Sequence, residues 1–207
     1  MNPSIDEALR YLGVKADADG TLHAQMSALA QELQARLTPR FTWAMAEASA
    51  LALPGRTAEK LLADCNTTAV LVCTLGAEFD RWIRQLQVRD TTCAVMLDAL
   101  GSAYVEAGCD TAEEAIRTRF PGKFLTDRFS PGYGDLPLTV QPRLMQLAGA
   151  SRLGVTLTDS LLMNPQKSVT AVVGLADQPQ RAQIRGCDYC AMKANCTLRK
   201  AGTPCHV

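Results

Sequence analysis

Two runs of β-branched and apolar residues constrain the fold of this chain more than any other feature of its sequence. Thr67–Leu75 and Ser168–Leu175 each have the length of a strand and the composition of a buried one. Apolar residues recur at helical spacing through much of the remaining sequence. We therefore expect a single α+β domain in which both strands lie in the core.

The predicted helices follow from capping residues and from apolar spacing. Ser4 begins the first, which ends at about Gly13, and a turn at Asp17–Gly20 leads into a helix over Thr21–Leu37. Phe41–Leu53 fits a strand at its start and a helix in its middle, so both structures stay open there. Three further helices are predicted over Ala77–Gln87, from Asp90 to about Arg119, and over Pro142–Ala150.

The charge balance and the absence of long apolar segments limit the partners of the chain. Lys and Arg together number 21, and so do Asp and Glu, which gives a formal net charge of zero. A protein that binds nucleic acid through its phosphates needs an excess of basic residues. The sequence contains no apolar run as long as a membrane-spanning helix and no signal-peptide core. We expect a cytoplasmic protein that binds neither nucleic acid nor membrane.

The 8 cysteines are distributed unevenly along the chain. One group is scattered over the body of the protein, where thiols usually pack as small apolar side chains: Cys65, Cys73, Cys93 and Cys109. The other group is crowded at the C-terminal end: Cys187, Cys190, Cys196 and Cys205. A polar segment over 177–185 separates this tail from the body, so we predict a domain over residues 1–178 and a cysteine-rich appendage over residues 179–207.

The spacing of the tail cysteines is typical of a metal site. Cys187 and Cys190 can bind one metal centre from a tight turn, and Cys196 and Cys205 can complete a set of four thiolates. Lys and Arg side chains surround them and favour the thiolate form. Zinc and an iron–sulfur cluster both fit this set of ligands. A reduced tail without metal, or two disulfides, is the alternative.

A loop rich in proline and glycine follows the long predicted helix and contains Arg128-Phe-Ser-Pro-Gly-Tyr133. Long loops of this composition inside a domain are often functional. Arginine offers a fork of N–H donors to a carboxylate, Pro-Gly lets the backbone approach a ligand, and tyrosine can stack or form a hydrogen bond. The motif predicts a site for a ligand that resembles an amino acid.

On the long helix, small and acidic residues form a stripe at positions four residues apart: Ala94, Asp98, Ser102 and Glu106. One interpretation is an ordinary solvated face of the helix. The other is the wall of a pocket that presents Glu106.

Taken together, these segments resemble the reactivation domain of cobalamin-dependent methionine synthase. That domain has Arg-Pro-Ala-Pro-Gly-Tyr-Pro where this chain has Arg128-Phe-Ser-Pro-Gly-Tyr133. Its Leu-Thr-Glu-Ser and Met-x-Pro correspond to Leu157-Thr-Asp-Ser160 and Met163-Asn-Pro165, and its Ala-Val-Ser-Gly to Ser168-Val-Thr-Ala171. The segment Asp90–Glu106 is similar to its long helix, which ends in Leu-Ala-Glu. Short free-standing relatives combine Arg-Phe-Ser-Pro-Gly-Tyr-Gly-Asp-Leu-Pro-Leu with a terminal cysteine cluster.

The resemblance implies an α+β fold with long helices, a bent antiparallel sheet and a small cysteine-rich appendage. It also implies a groove for S-adenosylmethionine (SAM) and docking onto the cobalamin of a methyltransferase or corrinoid protein. Oxidised cob(II)alamin would there be reduced and remethylated from SAM. Residues carried over by position are Arg128 for the SAM carboxylate, the loop around Ser130, Pro131, Gly132 and Tyr133 for the rest of SAM, and Glu106 for the cobalamin side.

The sequence departs from the methionine synthase domain in three places. Residues 1–60 contain no match to the acidic residue that binds SAM near the N-terminus of that domain. Val172, Val173 and Gly174 stand where that domain has Trp-Tyr-Phe, which contacts SAM. The cysteine tail is an addition, and it suggests an electron relay to cob(II)alamin. The alternative function is a non-catalytic module that binds a corrinoid protein and holds structural zinc. An independent methyltransferase is disfavoured because Gly76 stands alone after the first strand, where a nucleotide-binding loop would be rich in glycine.

Overall fold

The computed structural model describes residues 1–14, 20–180, 194–196 and 200. The helices within these ranges are α1 (Ile5–Tyr11), α2 (Thr21–Arg36), α3 (Ala48–Leu51), α4 (Arg56–Leu62), α5 (Ala77–Arg89), α6 (Thr91–Arg119) and α7 (Gln141–Ala148). The strands are β1 (Arg40–Glu47), β2 (Cys65–Thr74), β3 (Phe124–Leu125), β4 (Thr156–Leu157), β5 (Met163–Asn164) and β6 (Ser168–Ala176). Two short 3-10 helices cover Leu138–Val140 and Ala150–Leu153.

The predicted helices are confirmed, and so are their capping residues. The Ser4 hydroxyl accepts a hydrogen bond from the backbone N–H of Glu7 at 3.2 Å, where α1 begins. The Asp90 carboxylate accepts one from the N–H of Cys93 at 2.9 Å, where α6 begins. The ambiguous segment contains both predicted structures, since β1 is followed directly by α3. The predicted turn at Asp17–Gly20 falls mostly outside the described residues.

Both apolar runs form strands that are buried over most of their length, β2 and β6, as predicted. They are neighbours in a four-stranded sheet with the order β1-β2-β6-β3, and β4 pairs with β5 in a separate ribbon. The short β3 runs antiparallel to β6, with Phe124 opposite Ala176. The α+β class with an antiparallel sheet is therefore confirmed. Among the described residues, every helix is too short or too polar to cross a lipid bilayer.

The chain divides into two compact units, each made of three segments. The first consists of Met1–Thr42, Val72–Ala112 and Ala150–Val169, and the second of Trp43–Leu71, Glu113–Gly149 and Thr170–Val207. In the first unit, the Tyr104 hydroxyl donates a buried hydrogen bond to the Leu37 carbonyl at 3.1 Å. The boundary that we predict between residues 178 and 179 stays a prediction, because most of the tail lies outside the described residues.

Candidate functional site

The loop that contains Arg128 belongs to the second unit, and its start is fixed to strand β6. The backbone N–H of Phe129 donates to the carbonyl of Val172 at 3.1 Å, and the N–H of Val172 donates back at 2.8 Å. The Phe129 ring is itself buried. Just before it, the Thr126 hydroxyl accepts a hydrogen bond from the N–H of Gly174 at 2.8 Å. The residues on either side of Arg128 therefore have little freedom to move.

The Pro-Gly-Tyr segment forms a tight turn closed by its own backbone. The N–H of Tyr133 donates to the Ser130 carbonyl at 3.2 Å, and the N–H of Gly132 donates to the Leu136 carbonyl at 2.8 Å. Gly132 has φ of +90°, a conformation that side chains with a Cβ rarely adopt. Pro131 is buried, whereas the Tyr133 side chain is 73% exposed. The turn thus presents an aromatic ring to solvent on a rigid support.

Asp135 fastens this turn to the beginning of helix α4. Its carboxylate accepts hydrogen bonds from the backbone N–H groups of Arg56 at 2.6 Å and Thr57 at 3.1 Å. These groups would otherwise lack partners at the start of the helix. Hydrogen bonds from the Thr57 side chain and backbone, and then from Arg56, hold the pKa of Asp135 below its usual value. The loop is therefore anchored at both ends.

Arg128 is nearly buried and ion-paired. Its Nη1 lies 2.5 Å from Oε1 of Glu113, and the two side chains are 9% and 10% exposed. The other carboxylate oxygen of Glu113 lies 3.2 Å from Nη2 of Arg117, one helical turn further along α6. Arg117 also pairs with the exposed Glu114 at 3.2 Å. Arg128, Glu113, Arg117 and Glu114 therefore form a run of alternating charges.

The structure brings the predicted loop residues together in one unit, whereas Glu106 belongs to the other. Arg128, Ser130, Pro131, Gly132 and Tyr133 share one continuous loop of the second unit. Ser130 is half-buried. Glu106 is also half-buried, but it belongs to the first unit. The assignment of these residues to SAM and cobalamin stays a prediction.

The acidic stripe on α6 has a partner that the sequence analysis missed. Lys167 Nζ lies 3.0 Å from the carboxylate of Asp98 and 2.8 Å from the hydroxyl of Ser102. The lysine side chain is only 16% exposed, and Ala94 on the same stripe is buried. Part of the stripe therefore contacts other residues of the first unit, so it is not simply a solvated face of the helix.

Two acidic residues of the candidate site were also missed. Glu113 could have been found by its position four residues before Arg117 on a predicted helix, which is the spacing of an ion pair. Nothing in the sequence near Asp135 indicates its contact with Thr57, because the two residues are 78 positions apart. Glu113 contacts the loop from helix α6, whereas Asp135 belongs to the loop itself, two residues after Tyr133.

Strand β6 has no room for the aromatic residues that stand at the matching positions of the methionine synthase domain it resembles. Val172 and Val173 are fully buried. A Cβ added to Gly174 would lie 2.6 Å from the sulfur of Cys65 and 2.9 Å from Cγ2 of Thr126. The small side chains at these positions are therefore explained by the close packing of β6 against other residues of the second unit.

The body cysteines pack largely as predicted. Cys65, Cys73 and Cys109 are buried, while Cys93 is half-buried. Burial, and then the negative charge of Asp64, raises the pKa of the Cys65 thiol. Burial also raises the pKa of Cys93, with Asp90 and Glu32 adding to it. Both thiols are therefore protonated near neutral pH, as expected of packing residues rather than nucleophiles.

The predicted metal site falls largely outside the described part of the chain. Of its four cysteines, Cys187, Cys190 and Cys205 lie outside the described residues, and Cys196 is half-buried. Within the described ranges, no three His, Cys, Asp or Glu side chains are grouped as a metal site would require. The iron–sulfur or zinc site at the tail stays a prediction.

Comparison with known proteins places the fold and the family. Residues 49–188 match the family described as "Vitamin B12 dependent methionine synthase, activation domain". The crystal structure of the MetH reactivation domain bound to AdoHcy superimposes with a TM-score of 0.60 and 17% sequence identity, covering 91% of this chain and 76% of that one. No curated protein matches the sequence. Because the family match spans more than half of the sequence, the chain belongs to the activation-domain family of vitamin B12-dependent methionine synthase.

Proposed function

We propose that this chain is an accessory reactivation module for a cobalamin-dependent methyltransferase of the methionine synthase type. It binds SAM at the Arg128 loop and docks onto the cobalamin of its partner. The partner's cobalamin is then the substrate: it gains one electron and takes the methyl group of SAM, which leaves as S-adenosylhomocysteine. The observation that carries this proposal is the rigid loop that holds a guanidinium and an exposed tyrosine ring within one short segment.

The residues of the loop suit the methionine end of SAM. Arg128 already holds one carboxylate, that of Glu113, so its guanidinium has the orientation and surroundings that a carboxylate needs. The Tyr133 ring, 73% exposed, offers an apolar face to the remainder of the ligand. The solved MetH reactivation domain that shares this fold was crystallised with AdoHcy, the product that SAM leaves behind. These features support SAM as the ligand.

The cobalamin side of the proposal rests on Glu106 and on the cysteine tail. Glu106 is half-buried on α6, and we assign it to the cobalamin side from its position in the sequence resemblance. Cys187, Cys190, Cys196 and Cys205 form a donor set of four thiols, which suits an iron–sulfur cluster or zinc. A cluster bound there would supply the electron. Zinc would instead make the tail structural and the module non-catalytic.

The tail is tested by metal analysis and absorption spectra of the full chain prepared without oxygen. We expect stoichiometric iron and a charge-transfer absorption that bleaches on reduction. Cys187→Ala combined with Cys190→Ala should abolish both signals, while Cys93→Ala in the body should leave them unchanged. Zinc without iron would remove the electron relay from the proposal and leave the SAM site unaffected.

Methyl transfer tests the function itself. The full chain, a methionine synthase that lacks its own activation domain and holds cob(II)alamin, a chemical reductant and SAM carrying a ¹³C-methyl group are mixed without oxygen. We expect a ¹³C-methylcobalamin signal that depends on the chain and that weakens with Arg128→Lys. Equal labelling with and without the chain would contradict the proposed function.

A further inference from the structure

Glu113 already pairs with Arg128, the residue that we propose binds the carboxylate of SAM. Its Oε1 lies 2.5 Å from Nη1 of Arg128, and both side chains are about nine-tenths buried. A SAM carboxylate that binds Arg128 must therefore replace the Glu113 carboxylate or share the guanidinium with it. Two carboxylates at one guanidinium repel each other, most strongly where little water screens them.

A second cation beside Glu113 makes such an exchange feasible. Removing the partner of a buried carboxylate is normally strongly destabilising, because the charge is left without compensation. Here the other oxygen of Glu113 already lies 3.2 Å from Nη2 of Arg117, whose side chain is 47% exposed. Glu113 can therefore release Arg128 and keep an ion pair one turn further along α6.

We propose that Glu113 is a specificity-determining residue, an internal carboxylate that competes with the ligand carboxylate for Arg128. The inference rests on the proposed SAM site and deepens it. Glu113 neutralises Arg128 while the site is empty, and it turns to Arg117 when a ligand carboxylate binds. The site then accepts only ligands whose carboxylate binds Arg128 well enough to displace Glu113. Small anions with weaker contacts are excluded.

Glu113→Gln distinguishes two roles of Glu113: competing with the SAM carboxylate for Arg128, or only holding Arg128 in position. Glutamine keeps the shape of the side chain and an oxygen that accepts from Arg128, but it carries no charge. Competition predicts that SAM binds this variant about three- to tenfold more tightly than it binds the parent chain. Support of Arg128 by the Glu113 charge predicts the reverse, weaker binding of SAM.

Matched controls make the test specific to the carboxylate. The decarboxylated analogue of SAM should bind the parent and Glu113→Gln with equal affinity, because it has no group for Arg128. Glu114→Gln changes the neighbouring glutamate, which pairs with the same Arg117 but is 69% exposed, and should alter SAM affinity less than twofold. Arg117→Ala removes the second partner of Glu113 and should weaken SAM binding.

The experiment is isothermal titration of SAM and of its decarboxylated analogue into the full-length parent and these variants, with circular dichroism to confirm folding. Tighter binding of SAM alone to Glu113→Gln supports the inference, and so does weaker binding to Arg117→Ala should Glu113→Gln fail to fold. Equal or weaker binding of SAM to folded Glu113→Gln overturns it while the SAM site stands. Absence of heat from both the parent and Glu113→Gln overturns the SAM site and this inference together.

Discussion

The carboxylate of Asp135 accepts a hydrogen bond from the backbone N–H of Thr57, at 3.1 Å, across 78 positions of sequence. Through this contact and the neighbouring one to Arg56 at 2.6 Å, the turn that carries Tyr133 is fixed to the start of helix α4. The position of the exposed Tyr133 ring therefore depends on Asp135, which is not proposed to contact the ligand carboxylate.

Asp135→Ala should loosen the turn without removing any group proposed to bind SAM. We expect a melting temperature lower by a few degrees, because the first N–H groups of α4 lose their acceptor. SAM affinity should fall severalfold, because the turn is no longer held in one conformation. Asp159→Ala, at an exposed position of the first unit, is the control and should change neither quantity. Unchanged melting of Asp135→Ala would contradict the capping role.

The same carboxylate should make stability depend on acid. Because hydrogen bonds from Thr57 and Arg56 lower the pKa of Asp135 in the folded protein, its contribution is complete above the ordinary aspartate range near pH 4 and is lost as the pH falls below it. The difference in unfolding free energy between the parent and Asp135→Asn should therefore be largest near neutral pH and shrink between about pH 5 and pH 3. Urea titrations at several pH values measure it, and a difference that grows in acid would contradict this account.

Gly55 sits where helix α4 meets Asp135, and it should not tolerate a side chain. Its φ is +104°, and a Cβ there would lie 2.6 Å from Oδ1 and 2.9 Å from the backbone oxygen of Asp135. Gly122 has a similar φ of +86° but opens into empty space, so Gly122→Ala measures backbone strain alone, about 1–2 kcal/mol. Gly55→Ala should lower the free energy of unfolding, measured by chemical denaturation, more than Gly122→Ala does, since the clash adds to the strain. An equal loss of unfolding free energy in both variants would mean that the turn at Asp135 moves away without a penalty.

Gly174 keeps strand β6 close to Cys65, and this packing should appear as coupling between the two positions. Gly174→Ala places a methyl group 2.6 Å from the Cys65 sulfur and should destabilise the protein by about 1–3 kcal/mol. Cys65→Ala removes that sulfur, so the double variant should be more stable than the sum of the single effects predicts. Strict additivity in a denaturation cycle would show that the sulfur is not what excludes the side chain.

Local signals were sufficient to predict most of the fold. The buried runs of β2 and β6 and the cap at Asp90 depend on residues close together in sequence, and each is found where it was expected. The segment Phe41–Leu53 could not be decided, because its strand and its helix follow each other without a break. Neighbouring elements decide such a segment, and their positions cannot be read from its own residues.

The candidate site was predicted only in part, because the motif shows which groups are present and not what holds them. The Arg128 loop was found from its composition. Its ion pair with Glu113, its anchor at Asp135 and the pairing of Lys167 with Asp98 all join separate segments. Such contacts depend on the packed fold, so a local pattern gives no indication of them.

Titration of SAM into the full-length chain, beside Arg128→Lys, tests most directly whether SAM binds at the Arg128 loop. Lysine keeps the positive charge but cannot form the two parallel hydrogen bonds that a guanidinium donates to a carboxylate. The variant therefore distinguishes the effect of hydrogen-bond geometry from that of charge. Arg119→Lys, an exposed arginine at the end of α6, is the matched control. We predict saturable binding to the parent and to Arg119→Lys, with affinity at least about tenfold weaker for Arg128→Lys. Equal binding by all three proteins, or none by the parent, would show that Arg128 does not hold the carboxylate of SAM.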